Sequence, residues 1–340
     1  MTSAAQTIRE ANDAVEASLR TFMDDRELPL YKMMAYHLGW VDELGEPSHR
    51  TPQDRLRGAV AFLSSRASSG NAGSGNAVAV AIELLFNFTL IHTDIQEGNP
   101  DRMSRPALWW VWGPAQGINA GDGMHALARL VILNQADTGV DPVAISGELK
   151  ILDTSALQFC EGAYMDTVFQ ERLAVGVEEY LSMVGSISGS LVAGAAQIGF
   201  NAGNSTDEKL AGGLTTFGRD LGVIWRLQED HAAIWGTESM DEGAQGRLIS
   251  KKKTLPVVHA LETAEPSTRR ELGNMYAQRV IDPANISHLR EILDQSGSQE
   301  FTEQKISDHT DSAFSGLDSV GVDAEIADAL KSLVGDTARG

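Results

Sequence analysis

Two short stretches put carboxylates where oxygen ligands could gather a hard cation. Residues 90–106, LIHTDIQEGNPDRMSRP, carry Asp94 and Glu97, and residues 217–236, FGRDLGVIWRLQEDHAAIWG, carry Glu229 and Asp230. Side chains four apart on a helix share a face, so acids at that spacing converge on one ion. One turn before Glu97 stands Thr93, which offers only a neutral hydroxyl, and one turn after Glu229 stands Ala233, which offers nothing. Arg226 precedes Glu229 and Asp230 by three and four residues, on their own face, and is placed to neutralise acids that would otherwise need metal. Four more cations could meet an anion: Arg55 and Arg57 in PQDRLRGA, Arg102, and Lys252 in SKKKTLP, where the run of three lysines weakens the signal.

Helices must position these groups. Long proline-free segments with apolar residues at three and four spacing predict helices over 5–24, 53–67, 77–92, 119–136, 143–160, 167–185, 207–233, 254–264, 267–279, 284–295 and 323–334. Residues 77–92, AVAVAIELLFNFTLIH, are apolar nearly all round, as in a helix buried on every side. Residues 107–112, ALWWVW, are the one strand-like run, and their tryptophans 109, 110 and 112 read as packing or interface residues. Stretches 64–77 and 237–253 read as loops, the second mobile. No repeat or linker divides the chain, so a single all-α domain over 1–340 is expected.

Composition bounds the partners. The 340 residues are 42% hydrophobic and 22% charged, an ordinary globular balance, and the net charge of -20 repels nucleic acid and anionic membranes. The single cysteine, Cys160, cannot form an internal disulfide; it reads as a buried small apolar residue in a reducing compartment. The N-terminus has no basic region followed by an apolar core, so a cytoplasmic location is expected. Residues 181–203 carry no charge, but their Ser, Gly, Ala, Gln and Asn suit close helix packing rather than a membrane span.

Five segments, in order, resemble motifs of the trans-isoprenyl diphosphate synthases, or polyprenyl synthetases, over about residues 28–260. LIHTDIQEGNPDRMSRP resembles LIHDDxxDxDxxRRxxP; WGPAQGINAGDGMHALA resembles GxxxAIxxGDxLxxxA; CEGAYMD resembles CxGQxxD; FGRDLGVIWRLQEDHAAIWG resembles FGxxLGxxFQxxDDxxDxxG; and SKKKTLPVVHAL resembles GKxTLPxxxAL. The resemblance implies a helical bundle of the isoprenoid synthase type around a deep central cavity, usually dimeric. It implies two aspartate-rich helices that hold an allylic diphosphate through magnesium, and a neighbouring basic site for isopentenyl diphosphate.

The departures from that pattern are correlated. Thr93 and Ala233 replace metal-binding aspartates, which leaves Asp94, Glu97, Glu229 and Asp230 as a reduced metal set and magnesium weakened or absent. Asp54 replaces a diphosphate-binding lysine beside Arg55 and Arg57, and Phe86 replaces a histidine of the isopentenyl site. Arg102 keeps the first arginine of a pair whose second is Met103. Ile187 and Ser188 stand for Lys-Thr, Ala163 for Gln, and Arg226 for Gln. Arg55, Arg57, Arg102 and Lys252 remain as the diphosphate-binding set, Phe86, Phe88 and Thr93 line the expected cavity, and His92 is a structural histidine. About five lost contacts at about 1.5 to 3 kcal/mol each would slow chain elongation by many orders of magnitude, while the packing positions Pro106, Gly113, Gly121, Gly162, Gly218, Gly222 and Pro256 persist.

The leading functional expectation is therefore a non-catalytic or weakly catalytic subunit, a homodimer or a heterodimer with an active isoprenyl diphosphate synthase whose stability or product length it alters. Behind it stand a terpene-synthase-like enzyme that ionises an allylic isoprenoid diphosphate, a short-chain prenyltransferase whose cavity Phe88 truncates, and a lipid-binding protein.

Overall fold

The computed structural model describes residues 3–48, 54–69, 75–172, 174–236, 252–277 and 285–335. Its described helices are α1 (Ser3–Met23), α2 (Pro29–His37), α3 (Leu56–Ser69), α4 (Gly75–Glu97), α5 (Leu108–Trp112), α6 (Pro114–Leu133), α7 (Pro142–Glu171), α8 (Val177–Val184), α9 (Ser190–Ala202), α10 (Glu208–Trp235), α11 (Leu255–Thr263), α12 (Pro266–Ala277), α13 (Ile286–Gln295), α14 (Ser298–Asp318) and α15 (Ala324–Ser332). Among the described residues the strands are one short antiparallel pair, β1 (Asp101–Arg102) and β2 (Arg105–Pro106). The fold is an all-α bundle.

The centre of the bundle is α4, buried without a break from Val78 to Asn87 and enclosed by α1, α3, α6, α7 and α9. Burying each Leu or Ile of such a run stabilises the fold by about 1.5 to 3 kcal/mol. Two polar residues sit inside it. Glu83 accepts a 2.7 Å hydrogen bond from the Gly58 amide of α3, and Asn87 donates at 2.7 Å to the Glu83 carbonyl. Burial pushes the Glu83 carboxyl above its usual range, with Arg55, the Gly58 amide and Arg57 acting against the shift.

The long helix α10 reaches α9 through glycine. A Cβ on Gly218 would lie 2.6 Å from the Val192 carbonyl oxygen, and one on Gly222 would overlap the Ser188 carbonyl. That contact falls on a five-residue π turn, Gly185–Gly189, between α8 and α9. Ile187 in this turn packs against Gly162 of α7, whose added Cβ would stand 2.7 Å from it. Where the resemblance has Lys-Thr, this chain thus presents an apolar packing contact to α7.

Several sequence expectations are corrected. ALWWVW is helical, because Leu108 and the tryptophans form a turn capped by Gly113 at a left-handed φ of 85°. Helices expected separately at 143–160 and 167–185 are instead α7, continuous to Glu171, followed by α8; no glycine cluster or proline interrupts residues 161–166. Helices α2 and α14 lacked a clear apolar stripe in the sequence and were not expected. Cys160 is exposed on the outer face of α7, with Leu157 and Tyr164, rather than buried. The mobile stretch expected at 237–253 lies outside the described residues except for Lys252 and Lys253, as does the 70–74 part of the loop expected at 64–77. Two helical stretches, Gly75–Glu97 and Val177–Ala202, are long and apolar enough to cross a membrane, and most of each is buried inside the molecule.

Candidate functional site

The C-terminal ends of α4, α7 and α10 converge at one end of the bundle, carrying Asp94 and Glu97, Asp166, and Glu229 and Asp230 respectively. Helix C-termini are themselves negative, so this end draws cations. Side chains of the protein supply them.

Asp94 is buried and takes both of its oxygens to Arg102, at 2.7 Å each, in a bidentate pair. A tight hairpin makes this pair. Met103 and Ser104 form its two-residue turn with φ of 52° and 57°, a backbone conformation that returns the chain over the end of α4. The Asn99 amide caps the Asp94 carbonyl at 2.9 Å, and the Trp109 indole donates to the Asn99 carbonyl at 2.7 Å. Met103, where the resemblance has a second arginine, is at the exposed tip of that turn. Burial raises the Asp94 carboxyl from its ordinary value, and Arg102 opposes it; the bidentate geometry keeps the pair charged.

Lys252 is 4% exposed and bridges two helices, donating to Glu97 of α4 and, at 2.6 Å, to Asp166 of α7. Asp230 is fully buried. It accepts from the Tyr180 hydroxyl of α8 and, at 3.0 Å, from the Leu255 amide at the start of α11. Arg226 Nε lies 3.6 Å from Asp230 Oδ1, one turn away on α10. Burial opposes the charge on Arg226, and Tyr180, Asp230, Asp166 and Glu229 around it more than restore it. Its Nε and Nη2 donors are buried and make no hydrogen bond among the described residues.

On the side of α3, the Arg57 guanidinium stacks 3.4 Å from the Phe86 ring centre, with the Trp225 ring at 5.1 Å. Burial lowers Arg57 to about 10, against the pull of Glu83 and Glu229. Glu229 is exposed and acts electrostatically on Arg57, Arg102 and Arg226 alike, which links α3, the hairpin and α10. Among the described residues no three carboxylate, imidazole or thiolate groups converge as a bound metal requires.

The structure therefore gathers Asp94, Glu97, Glu229, Asp230, Arg57, Arg102, Lys252 and Phe86 at one end. Thr93 is partly buried beside Asp94. Arg55 is turned elsewhere, donating to Glu16 of α1 at 2.9 Å and to the Leu38 carbonyl at 3.0 Å. Phe88 lies in the seam between α4 and α6, with the His92 ring at 4.7 Å and the His125 ring at 5.2 Å.

A profile of the polyprenyl synthetase family matches residues 40–293. The chain belongs to the polyprenyl synthetase family. The (2E,6E)-farnesyl diphosphate synthase of Mycobacterium tuberculosis (strain ATCC 25618 / H37Rv) is 30% identical over 262 residues, 76% of this chain and 71% of that protein. The geranylgeranyl diphosphate synthase of the same strain is 32% identical over 253 residues, 73% and 69% of the two chains. The crystal structure of a polyprenyl synthetase from Streptomyces coelicolor A3(2), 28% identical, superposes with a TM-score of 0.86 over 98% of this chain and 99% of that one.

Within this member of the polyprenyl synthetase family, two residues of the site escape the sequence patterns. Asp166 closes the CEGAYMD segment, so its place in that motif was the available signal. Tyr180 falls in no motif and meets Asp230 only because α8 folds against α10.

Proposed function

We propose that this member of the polyprenyl synthetase family is a non-catalytic or weakly catalytic subunit that modulates an active prenyltransferase. One observation carries the reading: acids that could serve a metal are engaged by cations of the protein. Asp94 is taken by Arg102, Glu97 and Asp166 by Lys252, and Asp230 faces Arg226. Magnesium would have to displace these cations, with Thr93 and Ala233 adding no carboxylate, so we infer that it is held weakly or not at all. The acceptor side points the same way. Phe86 and Arg57 close on each other where isopentenyl diphosphate would need a free cation.

Exposed apolar side chains support a partner subunit. Trp110, Ile118, Leu130, Leu133, Val143 and Leu157 are each exposed on α5, α6 or α7, and we infer that a partner covers them. The occupant this reading assigns is an active synthase of the same family. The test is to purify the chain alone and together with each polyprenyl synthetase of its own genome, and to assay both with isopentenyl and allylic diphosphates. The reading expects no prenyl transfer by the chain alone, and a stable mixed complex whose product length or rate differs from the partner's own. Robust elongation by the chain alone would refute it.

A second reading has its own support in the open Nε and Nη2 donors of Arg226. Donors of this kind suit a diphosphate oxygen without metal, so the chain would bind, and in the terpene-synthase manner ionise, an allylic diphosphate. Release of inorganic diphosphate by the chain alone, without isopentenyl diphosphate, distinguishes this reading from the first.

A further inference from the structure

At the opposite end of the bundle from the gathered acids lies a second polar centre. The start of α4, the end of α6, the start of α7 and the end of α9 surround a cavity of about 400 Å³. Glu148 of α7 faces it, 1% exposed, and accepts a 2.5 Å hydrogen bond from Gln135 in the 3-10 turn (Asn134–Thr138) that follows α6. No Lys, Arg or His lines the cavity, and Glu148 makes no ion pair among the described residues. Asn76, in the first turn of α4, lines the same cavity, and its Oδ1 is buried with no donor to satisfy it among the described residues.

An uncompensated carboxylate and an unmet carbonyl oxygen in one cavity call for a ligand that donates hydrogen bonds and carries positive charge. The volume exceeds what one or two waters fill and falls in the range of small-ligand sites. A metal ion finds no second acid, imidazole or thiolate there among the described residues. Ala77, Val131 and Val140 supply apolar wall that suits methylene groups. We propose that this basal cavity binds a small primary ammonium compound, its charged head held by the Glu148 carboxylate and the Asn76 carbonyl oxygen.

Burial pushes Glu148 up to about 6, with Gln135 opposing the shift and no charged group of α4, α6 or α9 entering the balance. The carboxylate is therefore anionic at neutral pH and protonated in mild acid, so binding strengthens as pH rises through about 6. The site is also connected to the acidic end. Asn76 and Asp94 share α4, and Glu148 and Asp166 share α7, each pair eighteen residues and so about 27 Å apart.

The experiment is isothermal titration calorimetry of the full chain with 1,4-diaminobutane, and separately with magnesium chloride, in physiological salt at near-neutral and mildly acidic pH. The expected result is saturable one-to-one binding of the diamine. It should be at least tenfold weaker in Glu148→Gln, several-fold weaker in Asn76→Ala, and weaker in mild acid for the unaltered chain and Asn76→Ala but not for Glu148→Gln. Asn76→Ala alters only the first turn of α4 and keeps the test intact if the Glu148 variant does not fold. Absence of saturable diamine binding, affinity in both variants equal to that of the unaltered chain, or magnesium binding that Glu148→Gln abolishes would overturn the proposal.

Discussion

Replacing Arg226 with glutamine removes the guanidinium that faces a fully buried carboxylate. Asp230 would keep the Tyr180 hydroxyl and the Leu255 amide but lose its nearest described cation, 3.6 Å away. At an effective dielectric near 20 that attraction is about 4 to 5 kcal/mol, and breaking buried pairs costs about 3 to 5 kcal/mol. Because the pair lacks a direct hydrogen bond, about 3 kcal/mol is expected. Over 340 residues, unfolding entropy of about 2.1 cal/mol/K per residue gives about 0.7 kcal/mol/K, so Tm should fall by about 4 °C. The variant should also acquire a response to magnesium, since Glu229 and Asp230 lose the cation beside them. With about 5 mM magnesium and a Kd of about 0.5 mM, about 1.4 kcal/mol or about 2 °C would return. Scanning calorimetry with and without magnesium reads both effects. Magnesium stabilisation of the unaltered protein equal to that of Arg226→Gln would refute the idea that Arg226 occupies the metal's electrostatic place.

Three further outcomes follow from the same contacts. Asp94→Asn leaves Arg102 facing a neutral amide and should cost about 2 to 4 kcal/mol by denaturant titration, with Asp94→Asn combined with Arg102→Met recovering much of it. Glu148 is held above its unfolded value, so its contribution is full below about pH 4.5 and is lost as pH rises through about 6. That loss is about 2 kcal/mol, and Glu148→Gln should flatten that part of the stability profile. Gly218→Ala drives a methyl group to 2.6 Å from the Val192 carbonyl oxygen, and should destabilise the fold by about 1 to 3 kcal/mol while shifting α10, measurable as a lowered denaturation midpoint.

What the sequence disclosed depended on the range of each interaction. The all-round apolar run at 77–92 announced α4, and the terminal amphipathic stripe at 323–334 announced α15, because both signals are local. Helix α14 stayed hidden because its sequence, SQEFTEQKISDHTDSAFSGLD, is mostly polar and only Ser298, Thr302, Ala313 and Leu317 are buried. The same division holds at the acidic end. The pairing of Arg226 with Asp230 was legible from four-residue spacing along one helix. Lys252 reaching Glu97 and Asp166 joins residues 155 and 86 positions apart, and no periodicity encodes it. Arg55 matched a motif by position, yet α1 brings Glu16 to it, a contact visible only once the helices are packed.

The central claim is that protein cations, not magnesium, balance the acids at the converging ends of α4, α7 and α10. Its most direct test is the affinity of the purified chain for a non-hydrolysable allylic diphosphate analogue, measured by calorimetry with magnesium and with a chelator. The ion pairs of Arg102, Lys252 and Arg226 predict the same affinity, or none, in both conditions. Tightening of tenfold or more by magnesium, about 1.4 kcal/mol, would contradict the account.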